Sequence, residues 1–162
     1  MDYISTRNKD KTFSFKEVFL KGLAPDGGLF VPKAIPTYSS EELWNLKDLS
    51  YKELASEIIY KFCKKEFNKN EIKELVNHSY RNFRAKEVVE IKKLGSINLL
   101  ELFHGPTLAF KDIAMQVIGN MYEKILEKNN LKVNIVVATS GDTGAAAIDA
   151  IKDRKNMKKN NK

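Results

Sequence analysis

A β-branched run, Val133-Asn-Ile-Val-Val-Ala138, passes through a glycine-bearing turn, Thr139-Ser-Gly-Asp-Thr-Gly144, into a helix of small residues, Thr143-Gly-Ala-Ala-Ala-Ile-Asp-Ala-Ile151. A short, continuous apolar run of this kind reads as a strand covered on both faces. A second helix is predicted from about Asp112, with Ile113, Val117, Ile118, Met121, Ile125 and Leu126 along one stripe. Upstream, Val88-Val-Glu-Ile91 and Ile97-Asn-Leu-Leu-Glu-Leu-Phe103 read as strands around a Gly95-Ser96 hairpin turn. The order strand, helix, strand, helix predicts a right-handed, parallel α/β layer.

The first half of the chain reads differently. Gly22-Leu-Ala-Pro-Asp-Gly-Gly28 forms a compact turn cluster, because proline presets φ and glycine admits positive φ. Leu29-Phe-Val-Pro32 follows as a short extended segment, with Pro32 and Pro36 excluding helix. Residues 39–82 read as helical. Ser40 is the expected cap of one helix, and Ser50 with Glu53 forms a capping box for the next. Leu54, Ile58, Ile59 and Phe62 give that second helix an apolar stripe, and Cys63 falls among them as a small core residue. Asn70 is the expected cap of a third helix, with Ile72, Leu75 and Val76 inward and His78 at or near the surface.

Charge narrows the function classes. The net charge of the 162 residues is +7, but residues 152–162 carry +5 of it and the remainder only +2. The basicity is a tail with no aromatic-interleaved stripe, which argues against nucleic-acid binding. The polar tail from Lys155 to Lys162 is expected to be disordered. A single cysteine permits no intramolecular disulfide, and no cysteine–histidine metal pattern occurs. The opening residues lack an apolar leader, and no run reaches the roughly 18 apolar residues of a membrane span, so the expected location is cytoplasmic.

Two turns are candidates for chemistry. In His104-Gly-Pro-Thr-Leu-Ala-Phe-Lys-Asp112, Lys111 lies near a helix start among Leu108, Ala109 and Phe110. Burial and the helix dipole would both ease loss of its proton, and a neutral lysine is a nucleophile toward carbonyls. A snorkelling surface lysine is the plain alternative. In Ser140-Gly-Asp-Thr-Gly144, glycines admit close approach while hydroxyls and helix-terminal N–H groups can hold a carboxylate or phosphate. Asp142 would repel an anion there, so it is expected to cap the helix or face a donor. Neither the Walker nor the dinucleotide signature is present, and a purely structural strand-to-helix turn stays open on these residues alone.

Taken together, His104–Asp112 and Ala138-Thr-Ser-Gly-Asp-Thr-Gly-Ala-Ala146 resemble the threonine synthase family of the tryptophan-synthase-β-like pyridoxal-phosphate enzymes. Tyr3-Ile-Ser-Thr-Arg7 and Gly22-Leu-Ala-Pro-Asp-Gly-Gly-Leu-Phe-Val-Pro32 are similar to the N-terminal part of that family. The resemblance implies a mainly helical N-terminal domain over 1–86, then the start of a mostly parallel three-layer α/β domain over 87–154. It implies pyridoxal 5'-phosphate (PLP) as cofactor, held covalently by Lys111, which would also move protons. Asp142 would join Lys111 at the cofactor; Ser140, Gly141 and Thr143 would hold substrate; His104 and Thr107 would shape the pocket. The implied reaction converts O-phosphohomoserine and water into threonine and phosphate, with no nucleic-acid or membrane partner.

Members of that family run to more than twice this length, and their cofactor-phosphate cup and pyridine-nitrogen partner lie downstream of the motifs seen here. The sequence is therefore expected to be a truncated piece, inactive alone and unstable over residues 88–151. The competing expectation is a non-catalytic remnant that binds a partner through an unpaired sheet edge.

Overall fold

The computed structural model describes residues 1–139 and 141–159. The chain divides into two compact units, Met1–Glu74 and Leu75–Lys162. Among the described residues no helix is long and apolar enough to cross a membrane.

The first unit opens with three very short strands, β1 (Tyr3–Ser5), β2 (Thr12–Phe13) and β3 (Phe30–Pro32), in an antiparallel sheet of order β2-β1-β3. The expected extended segment is β3, which pairs with β1 from Tyr3↔Pro32 to Ser5↔Phe30. The glycine turn cluster packs on the end of β1. Asp26 accepts from the Ser5 hydroxyl at 2.7 Å and from the Gly28 N–H at 2.9 Å. A Cβ at Gly28 would overlap the Ser5 hydroxyl, so glycine is required there.

Helices of this unit start on capping boxes. Ser14 with Glu17 starts α1 (Phe15–Lys21), Ser39 with Glu42 starts α2 (Ser40–Leu46), and Ser50 with Glu53 starts α3 (Tyr51–Cys63). The α2 cap is Ser39, one residue before the expected Ser40, because only Ser39 has a glutamate three residues on that returns the bond to its N–H. Helix α4 (Lys69–Ser79) starts through reciprocal Asn68–Glu71 bonds in place of the expected Asn70 cap. Tyr3, Phe13, Cys63, Phe67 and Ile72 are buried in the core, and the Tyr3 hydroxyl donates to the Phe62 carbonyl at 2.8 Å. Burial pushes the Cys63 thiol up to about 12, as fits an inert core residue.

The second unit takes in Leu75, Val76, Ser79 and Tyr80, so the division falls before the expected boundary at residue 86. Ser79 and Tyr80 bond α5 (Asp112–Asn129): Tyr80 donates to the Ile113 carbonyl at 3.1 Å, and Asn120 donates to the Ser79 hydroxyl at 2.9 Å. Strands β4 (Glu90–Leu94) and β5 (Ile97–Glu101) form the expected hairpin around Gly95-Ser96, with Leu94↔Ile97 nearest the turn. β4 starts later than expected because Val88 has φ +67, a left-handed conformation that no strand can contain.

The expected parallel layer through Ile97–Phe103 and Val133–Ala138 is corrected here: the second strand ends at Ile135, Val136 and Val137 are exposed, and the parallel pairing that forms is with a later strand. Strand β6 (Val133–Ile135), helix α6 (Asp142–Ile151) and strand β7 (Met157–Lys159) make a parallel β-α-β unit, with Val133↔Met157 in register. Strand β7 falls inside the tail expected to be disordered. Met157 is buried and anchors it, while β6 supplies a ladder that a polar strand can join. Residues 160–162 lie outside the described residues. The hairpin is a separate two-stranded sheet, not a neighbour of β6, so the unit is α/β with small sheets. On α5, Val117, Met121, Ile125 and Leu126 are buried as the stripe predicted, whereas Ile118 is exposed.

Candidate functional site

Lys111 is the N-cap residue of α5, reached through a tight turn that begins at Gly105. Within that turn Leu108 donates to the Gly105 carbonyl at 3.2 Å, and Asp112 donates to the Ala109 carbonyl at 3.0 Å. Leu108 has φ +66, an uncommon conformation for a residue with a branched side chain. The sequence expectation that Lys111 is buried among Leu108, Ala109 and Phe110 is corrected here. Only Ala109 is buried; Leu108 and Phe110 are 51% and 53% exposed. Lys111 itself is half-buried, with its ammonium nitrogen 4.8 Å from the centre of the Phe110 ring.

Sequence reasoning missed Asp112. Its side chain is fully buried and accepts from both the Thr107 N–H and the Thr107 hydroxyl, each at 2.7 Å. A Cβ at Gly105 would overlap this carboxylate, whose Cγ stands 2.8 Å from the position. The only signal in sequence is an acid at the first helical position, where the dipole favours negative charge. Thr107, expected as a pocket residue, thus spends both its donors on Asp112.

His104 is half-buried at the exit of β5. Its Nε2 lies 3.1 Å from a Glu101 oxygen and its ring rests 4.8 Å from that of Phe103. Glu90, directly opposite Glu101 in the hairpin, brings a third ligand-type atom, all within 4.8 Å of one another. The Lys92 ammonium bonds Glu90 and is the cation that the fold supplies there.

The second turn opens α6. Gly141 is its N-cap with φ +69, and the Gly141 carbonyl accepts from Ala145 at 3.1 Å. Asp142 is the first helical residue and not the cap that the sequence suggested; the cap makes no side-chain bond. Thr143 is half-buried, and Gly144 is buried where a Cβ would meet the Thr139 methyl at 3.0 Å. Ser140 lies outside the described residues.

Packing of α5 on α6 relates the two turns. Gln116 bonds Asp149 at 2.7 Å, a Cβ at Gly119 would meet the Ala150 carbonyl, and Arg154 bonds Asn120 at 2.9 Å. Partner positions rise together along both segments, so the helices run in the same sense. Their N-termini, one bearing Lys111 and the other Gly141, Asp142 and Thr143, therefore open toward the same side of this unit. A lysine amine and a set of helix-terminal N–H groups on one side can serve a carbonyl reagent and an anion.

His78, at the end of α4, is exposed and sits by Arg81. Desolvation, then the positive charges of Arg81 and Arg154, hold its imidazole below the ordinary value of 6.5.

Comparison with known proteins follows the same lines. Residues 2–80 match the family described as threonine synthase N terminus. The threonine synthase of Schizosaccharomyces pombe is 43% identical over 97% of this chain and 32% of its own length. Threonine synthase-like 2 of Homo sapiens is 39% identical over 97% of this chain and 33% of its own. The crystal structure of PLP-bound threonine synthase from Brucella melitensis superposes with a TM-score of 0.93 at 39% identity, covering 98% of this chain and 34% of that one. The chain spans about a third of the length of the relatives it matches.

Proposed function

We propose that this chain, which is similar over nearly its whole length to the N-terminal third of threonine synthases, carries the lysine-bearing portion of a PLP-dependent threonine synthase. The reaction is the conversion of O-phosphohomoserine and water into threonine and inorganic phosphate, a lyase step in threonine biosynthesis. When bound, PLP supplies an electron sink for negative charge on substrate carbons.

Residues present here suit that cofactor in part. Lys111 is half-buried yet open enough for its amine to meet an aldehyde, and it stands at the start of α5. Its nitrogen is the covalent anchor and the proton carrier. The N–H groups at the start of α6, with the Thr143 hydroxyl, bind the substrate carboxylate, and Ser140 is the further hydroxyl in that role. Asp142, the first residue of α6, is the group of this turn assigned to the cofactor. His104, held by Glu101, and Thr107, held by Asp112, are the residues that shape the pocket. The observation that best supports this reading is the common direction of the two helix N-termini, which turns the lysine and the anion-binding N–H groups toward one side.

The test is covalent. The purified chain is mixed with PLP, reduced with borohydride and mapped. Lys111 is expected to carry the reduced pyridoxyl group in preference to the other lysines. Label spread evenly, or concentrated elsewhere, refutes the assignment. A second reading, a non-catalytic interaction module, draws on the exposure of Ile91, Leu94, Ile97 and Leu100 on the hairpin. It predicts no preference for Lys111.

A further inference from the structure

We infer that Asp112 is the positioning residue for Lys111: its buried carboxylate clamps the turn at Thr107 and thereby holds the Lys111 amine on the face of the Phe110 ring. The inference rests on the reading of Lys111 as the cofactor lysine. An acid at the first helical position ordinarily serves the helix by sitting near its free N–H groups. Asp112 is spent otherwise. Both of its oxygens accept from Thr107, five residues back, and the cap of α5 makes no side-chain bond. The carboxylate is fully buried, so these charge-assisted bonds are not diluted by water.

Two further features show that the loop is over-determined. Gly105 leaves only enough room for the Asp112 side chain, and Leu108 is held in a left-handed conformation that costs energy outside such a clamp. Lys111 lies inside the closed segment, next to its final bond. Releasing Asp112 would free Thr107, relax Leu108 and let the lysine swing away from Phe110.

Reductive methylation of the lysines with carbon-13 reads this directly. In the parent chain the Lys111 dimethylamine signal, assigned by its loss in Lys111→Arg, should be displaced by the Phe110 ring current and return to the bulk lysine position in Phe110→Leu. Asp112→Asn keeps the volume but cannot accept both bonds. It should return the signal to bulk and, in unmethylated chain, lower the share of reduced pyridoxyl label on Lys111 at least threefold. Thr107→Ser retains both donors and should behave as the parent. Val117→Ala, a cavity in the same helix, controls for lost stability and should leave signal and share unchanged. An undisplaced parent signal, an unchanged Asp112→Asn, or an equal effect from Val117→Ala overturns the inference. If the signal moves as stated while parent labelling shows no preference for Lys111, the cofactor reading fails and the positioning role stands.

Discussion

Gly119 lies at the contact of α5 with α6, and replacing it with alanine sets two effects against each other. Helix propensity favours alanine over glycine by about 1 kcal/mol. Against this, the new Cβ would stand 2.6 Å from the Ala150 carbonyl oxygen and 3.2 Å from its carbon, with Arg154 at 3.3 Å. Backbone cannot swing aside as a side chain can. Restoring an ordinary contact of 3.4 Å requires the helices to part by about 0.8 Å. A gap of that size forfeits roughly a quarter to a half of each dispersion contact across the seam, and about twenty contacts of 0.1–0.2 kcal/mol then lose about 1 kcal/mol. The Arg154 bond to the same carbonyl, 2.6 Å long, is strained as well, and a charged hydrogen bond is worth roughly 1.5–3 kcal/mol. The cost is therefore about 2–3 kcal/mol and the net loss about 1–2 kcal/mol. Urea unfolding should show a midpoint lower by roughly 0.5–1 M at an ordinary slope. Ala114→Gly, on the exposed face of α5, isolates propensity and should cost about 1 kcal/mol. A Gly119→Ala chain more stable than its parent would refute the close approach of α5 and α6 at this position.

Cys63 should resist thiol reagents at pH 8 in the folded chain and react fully in denaturant, because burial raises its thiol from 9.0 to about 12. The folded state holds the proton more tightly, so this contribution to stability is intact below pH 9 and is lost between there and about 12; base denaturation monitored by circular dichroism of parent and Cys63→Ala checks the sign. His78 is displaced in the opposite sense. Its folded imidazole sits below 6.5, so stability is present above that value and falls as pH drops through it, where the unfolded chain takes up the proton first. Arg81→Gln removes one of the two facing positive charges, Arg154 being the other, and should raise the His78 midpoint in an NMR titration; an unmoved midpoint counts against the Arg81 contact.

Local signals settled a good deal of this molecule. The Ser50–Glu53 capping box, the start of α5 at Asp112, the hairpin at Gly95-Ser96 and the step from β6 into α6 are all decided by neighbours within a few residues. Cap chemistry, a 3.6-residue period and turn glycines act at that range. Recognition of the His104–Asp112 and Ser140–Gly144 turns as candidate sites rested on the same short-range pattern. What tertiary structure decided lies at longer range. Strands of two or three residues, such as β1 and β2, carry no usable period, and they exist because distant segments complete their ladders. Met157 turns part of a polar tail into β7 only because β6 stands ready beside it. Ile118 faces outward although the stripe counted it inward, since a neighbour's position fixes the stripe's edge. Asp112 shows the limit most clearly. Its sequence position announces a helix start, but its burial and its two bonds to Thr107 depend on how the chain folds back at Gly105. Desolvation is a property of everything packed around a group, and no stretch of sequence carries that alone.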